Sequence, residues 1–137
     1  MNAIATPAVN PIVSLIGRIL MALLFFIIGI RQLLGFTLTV AYFTKLDFPL
    51  PEGAAVLAII FELGGGLLLI IGWRTRWVAW LLALYVLVAT LVAHRFWEYD
   101  AAQSLNQMYH FFKNVSIIGG LFYIATFGAG RYSIDKA

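Results

Sequence analysis

Apolar residues fall in four runs along the chain, roughly 11–34, 53–71, 77–93 and 111–127, and polar residues collect in the short stretches between them. Each run approaches the about 20 residues that a helix needs to cross a hydrocarbon layer of about 30 Å. A helix on the surface of a soluble protein carries a polar face along its length, whereas AAVLAIIFELGGGLLLIIGW, residues 54–73, holds a single charge, Glu62, near its middle. The pattern predicts an all-α protein, a four-helix transmembrane bundle, with residues 1–137 forming one domain. The first run has Arg18 inside it and no small-residue cleavage site after it, so it reads as a span and not as a cleaved leader. Between the first two runs lies GFTLTVAYFTKLDFPLP. There Phe36, Val40, Phe43 and Asp47 fall at helical spacing before Pro49 and Pro51 forbid continuation. That predicts a short interfacial helix, with a strand-like loop as the alternative. Helices two and three are joined only by GWRTRW and must be antiparallel neighbours.

Composition agrees with the pattern. Hydrophobic residues make up 63% of the chain, charged residues 11%, and mean hydropathy is +0.96, against about 25% charged in soluble domains. No length remains for a soluble catalytic domain, and no residue is assigned a catalytic role. The net charge of +3 comes from basic residues scattered singly, which gives no nucleic-acid footprint; the expected partner is the lipid bilayer. With no cysteine, the chain itself offers no disulfide, thiolate ligand or thiol relay. An even number of crossings puts both termini on one side. Arg74, Arg76, Arg131 and Lys136 lie there, with Arg18, while Arg31, Lys45, Arg95 and Lys113 on the other side are offset by four carboxylates. The balance places both termini in the cytoplasm. Trp73, Trp77 and Trp80 near one boundary and Trp97 near the other suit the aromatic belts of a bilayer.

Ionisable residues at bilayer depth turn toward the protein interior, where a partner meets them. Glu62 shares its face with Ala58, Gly65 and Gly66, so that face packs against another helix. On the first helix Ser14, Arg18, Ala22, Phe25, Gly29 and Gln32 form one stripe. With the spans taken as flush, Arg18 and Glu62 differ in depth by only about 6 Å, and an Arg18–Glu62 ion pair is expected. It reads either as a structural clamp between helices or as the setting of a functional carboxylate, a proton carrier or head-group ligand. A second polar group gathers at the opposite end. His94 closes helix three, on the face of Thr90, Val86 and Ala83; His110, Lys113 and Asn114 open helix four; and Gln32 ends helix one at the same level. Two histidines without cysteine or diagnostic spacing do not make a metal site. Neutral donors with Tyr109, Phe111 and Phe112 as apolar walls suit the oxygens of a quinone or similar lipophile, beside the plain alternative of interfacial hydrogen bonding and a snorkelling lysine.

The segments GRILMALLFFIIG, FELGGGLLLIIGWRTRW, AHRFW, FFKN and GAGRYSID, in this order and spacing, resemble the DoxX family of small four-helix membrane proteins, over about residues 12–135. Transferred position by position, the family's polar signature falls on Arg18, on Glu62 with Gly65 and Gly66, on His94, on Lys113 and Asn114, and on Ser133 with Asp135. Where the family often carries a lysine at the end of helix one, this chain has Gln32. The resemblance implies a multi-pass protein of the bacterial inner membrane, similar to a membrane subunit of thiosulfate:quinone oxidoreductases. No flavin, dinucleotide or iron–sulfur motif is present, so no intrinsic cofactor is expected beyond a bound quinone. A soluble or membrane redox partner would carry the redox centre, and further copies of the chain could complete the assembly. A scaffold or a small-solute or proton pathway is the competing reading.

Overall fold

The computed structural model describes residues 9–136, and these are helical with no strand among them. Helix α1 is Pro11–Leu34, α2 is Phe36–Lys45, α3 is Pro51–Ile71, α4 is Thr75–Ala93 and α5 is Ala101–Phe127. α1, α3 and the helix opened by Thr75 are long and apolar enough to cross a membrane. α5 is longer still, at 27 residues, but its first half carries Gln103, Asn106, Gln107, His110, Lys113 and Asn114.

Local chemistry sets the ends. The Asn10 side chain accepts from the Ile12 and Val13 N–H groups at 3.0 and 3.2 Å, and Pro11 occupies the first turn, where a missing N–H costs nothing. After Gly35 the chain turns directly into α2, so the stretch before Pro49 is helical, as its spacing predicted. Gly72 ends α3 in the left-handed conformation, at φ 69°. Asp100 caps α5 by accepting from the Gln103 N–H at 3.0 Å. α5 therefore begins ten residues before the apolar run that predicts it, because a capped polar helix needs no hydrophobic signal of its own.

α1 packs along α3, α4 along α5, and α2 against the first turns of α3. Buried Ala22, Phe25, Leu69, Val78, Ala79, Leu82, Ala83, Val86, Leu121 and Ala125 form the core, while Leu20, Ile27, Leu84 and Val88 point outward and are exposed. An apolar exterior around a core rich in small residues is the pattern of an integral membrane protein whose helices approach through small side chains. Glycines set the register. A Cβ on Gly29 would lie 2.7 Å from the Leu63 Cα, and one on Gly66 would lie 2.7 Å from the Phe26 backbone nitrogen. Gly65 meets the Leu82 side chain on the opposite flank. Within α3 the turn Ile60–Gly64 is π-helical, a local widening that often marks functional positions.

Because the obstructing atoms at Gly66 are backbone, Gly66→Ala forces α1 and α3 apart. It is expected to cost about 1 to 3 kcal/mol, read from the unfolding midpoint in detergent. Gly64→Ala, with nothing within 4 Å of its Cβ position, serves as the comparison. Equal midpoints for the two variants would contradict this packing.

Candidate functional site

The structure separates the two intramembrane charges. Arg18 is 2% exposed, and its guanidinium donates to backbone carbonyls: Ala129 O, Tyr132 O at 2.7 Å and Ile70 O at 3.4 Å. Glu62 Oε1 instead accepts from the Tyr85 hydroxyl at 2.7 Å. The expected Arg18–Glu62 pair does not form, and the only ion pair among the described residues is Arg95–Glu98, at the surface. The reason is register. With Gly29 against Leu63 and Gly72 beside the Arg18 guanidinium, Glu62 lies level with the end of α1, some 11 residues or about 17 Å from Arg18. α3 overshoots α1 and pairs its first turns with α2, so the two spans are not flush.

Arg18 serves the tail. Residues after α5 fold back over the turn between α3 and α4. The Ile134 and Asp135 N–H groups donate to Ile71 O and Gly72 O. The Asp135 carboxylate accepts from the Arg74 and Thr75 N–H groups, both at 2.8 Å. α4 has no side-chain cap of its own, so Asp135 supplies one from a distance, where an anion also suits the helix dipole. Partial burial alone would raise the Asp135 pKa, but the Thr75 and Arg74 N–H groups and the Arg18 charge outweigh it and hold the carboxyl below its ordinary value.

Glu62 belongs to a cavity of about 460 Å³ between α1, α2, α3 and α4, reaching the middle of α5. Polar groups at its wall are Gln32, Tyr42, Glu62, Tyr85, His94, Lys113 and Asn114; the rest is largely apolar, with Phe25, Phe43, Phe48 and Phe61. Tyr85 stacks on Phe61, centroids 5.2 Å apart and planes 5° from parallel, which fixes the hydroxyl that holds Glu62. At the far end His94 Nδ1 lies 2.8 Å from Gln107 Oε1, and the Asn114 amide donates to Thr90 Oγ1 at 2.9 Å. The Lys113 ammonium lies 3.4 Å from His110 Nδ1, and the His94 and His110 rings stack at 5.1 Å. Gln32 Oε1 and Glu62 Oε2 are buried with no protein donor.

Of the residues proposed for a ligand site, Gln32, His94, Lys113 and Asn114 thus reach one cavity. His110 touches it only through its neighbours, and Tyr109 is 65% exposed on the outer face of α5. Sequence reasoning missed Glu62 and Tyr85 as members of this group. The signal was present: in a tight helical hairpin, residues equidistant from the turn lie level, and Glu62 and Tyr85 each stand eleven residues from the central pair Trp73 and Arg74. Tyr42, Phe43 and Phe48 were missed because the fold of α2 over α3 leaves no trace in periodicity.

The DoxX family model matches residues 13–95. Among curated proteins, inner membrane protein YphA of Escherichia coli is 35% identical over 129 residues, covering 94% of this chain and 92% of that protein. Inner membrane protein YqjF of the same organism is 34% identical over 125 residues, with coverages of 89% and 88%. ER-derived vesicles protein ERV29 of Saccharomyces cerevisiae is 30% identical over 120 residues, which is 88% of this chain but 32% of that protein. No solved structure matches the chain.

The distant cap carries a pH signature. A carboxyl whose folded pKa lies below its unfolded value near 3.9 contributes stability that is complete above that value and is lost as pH falls through the folded pKa. Asp135→Asn, which keeps one of the two acceptor oxygens and loses the other, is expected to lower stability at pH 7 by about 1 kcal/mol. The gap between wild type and variant should hold above about pH 4 and shrink as pH falls below it; a gap that does not change with acidification would contradict the carboxylate's role.

Proposed function

The chain belongs to the DoxX family of integral membrane proteins, and we propose that α1, α3, α4 and α5 form a four-helix transmembrane bundle enclosing a binding site for a quinone or similar lipophile. On this reading the chain is an accessory membrane component of an oxidoreductase complex whose redox centre sits on a soluble or membrane partner, and it has no catalytic residue of its own. Both termini and the turn between α3 and α4 face the cytoplasm of the bacterial inner membrane. The continuous packing of α5 along α4 and the apolar second half of α5 support the fourth crossing.

One observation carries the reading: a cavity of about 460 Å³, walled mainly by aromatic and aliphatic side chains and furnished with a few polar groups, lies among helices that face lipid. Lipophile sites have that composition, since apolar walls bury the ligand and a few fixed polar groups orient its head. A polar pathway through the bundle has less support, because buried Ala22, Phe25 and Leu69 lie between Arg18 and Glu62. The scaffold reading draws on the Arg18 clamp, which fastens the tail.

Ala89 lines the cavity, so Ala89→Phe fills it. Titrating nanodisc-reconstituted protein with an alkylated benzoquinone and with its hydroquinone is expected to give saturable binding of at least one. Binding should weaken about tenfold or more in Ala89→Phe, a loss of about 1.4 kcal/mol or more, and be unchanged in Trp77→Phe, where the side chain is exposed at the cytoplasmic end. Absence of saturable binding to wild type would favour the scaffold.

A further inference from the structure

The polar groups of the cavity are not equally occupied. At the α5 end the donors already have protein partners: His94 with Gln107, Asn114 with Thr90, and Lys113 with His110. At the other end two acceptors have none. Glu62 Oε2 and Gln32 Oε1 are buried without a protein donor, and both residues line the same cavity. Buried polar atoms without partners are few in native proteins, because each forfeits its hydration with nothing in return. Two acceptors on one cavity call for a guest that donates.

The Glu62 carboxylate is also held for such a guest. Its other oxygen is fixed by the Tyr85 hydroxyl, Tyr85 is fixed by stacking on Phe61, and the π-helical turn Ile60–Gly64 carries the residue. The carboxylate therefore cannot swing away to find another donor without breaking the bond it has. The charge balance selects among donors. Glu62 and Lys113 line the cavity together, so an ammonium head would meet the Lys113 ammonium, whereas a neutral hydroxyl suits both.

We infer that the lipophile of this cavity carries a neutral hydroxyl head that donates a hydrogen bond to Glu62 Oε2 or Gln32 Oε1. The inference rests on the reading of the cavity as a lipophile site and adds the polarity of its recognition: the guest gives the hydrogen bond and the protein receives it. A carbonyl-only head would leave both acceptors unpaired and would bind less tightly than its hydroxylated counterpart.

Three probes with the same alkyl tail separate the outcomes: a long-chain alkylphenol, its methyl ether and the corresponding alkylammonium, each titrated against the full chain in nanodiscs. The phenol is expected to bind about 10- to 150-fold more tightly than the ether, the range for one hydrogen bond to a charged partner. In Glu62→Gln, whose amide can still accept from Tyr85 while turning a donor toward the cavity, that preference should collapse. Gln32→Leu, which removes the neighbouring acceptor and leaves the Glu62–Tyr85 pair intact, should reduce it in part. Equal affinity of phenol and ether for wild type, or a preference that survives in Glu62→Gln and Gln32→Leu alike, overturns the donor assignment while leaving a lipophile site in place. Tightest binding of the alkylammonium overturns the neutral head. No saturable binding of any probe overturns the lipophile reading itself.

Discussion

A guanidinium cannot be left unpaired inside an apolar bundle, and the way Arg18 is satisfied governs much of the rest of this structure. Moving such a charge from water into a low-dielectric interior costs several kcal/mol even after relaxation. No carboxylate among the described residues forms an ion pair with it. The compensation comes from backbone carbonyls at Ile70, Ala129 and Tyr132, groups at a helix end and in an irregular tail that would otherwise lack donors. Arg18 thereby joins three segments distant in sequence: α1, the end of α3 and the chain after α5. The tail, brought into place, delivers Asp135 to the start of α4. One buried cation and one anion thus fasten that end of the bundle without touching each other directly.

That division of labour releases Glu62. Had the carboxylate been spent on Arg18, it would be a structural element at the centre of the bundle. Set about 17 Å away by the glycine-determined register, it is held at one oxygen by Tyr85 and presents the other to a cavity. The same glycines that allow α1 and α3 to approach decide where the charge arrives. Packing, and not electrostatic attraction between the two ionised groups, positions the polar site. The end of the bundle that carries Arg18 is clamped by the tail, and the end that carries Glu62, His94 and Lys113 holds the cavity they line.

How much of this was legible in the sequence depends on which physical signal each feature leaves. The long helices were legible, because an apolar run of about 20 residues has few other uses, and so was α2, from its spacing before two prolines. The inward stripe of α1 from Ser14 to Gln32 and the small-residue face around Glu62 were also readable, since helical period alone defines them. Register was not. Sliding one apolar helix along another leaves the hydropathy pattern unchanged, so depth counted from the ends of the runs placed Arg18 and Glu62 together wrongly. Backbone carbonyls have no sequence signature either, which hid the partners of Arg18, and pairing opposite charges overshadowed the hairpin symmetry that relates Glu62 to Tyr85. The polar beginning of α5 was invisible to a search for apolar residues.

The separation of the two charges is the claim on which clamp and cavity both rest, and a double-mutant cycle tests it directly. Unfolding free energies in detergent for Arg18→Met, Glu62→Gln and the double variant yield a coupling energy. If Arg18 answers only to the carbonyls and Glu62 only to Tyr85 and the cavity, the losses add and the coupling falls within about 0.5 kcal/mol of zero. A coupling of about 1 kcal/mol or more, with the double variant recovering stability lost in the singles, would mean that the two residues form a pair and would contradict this structure.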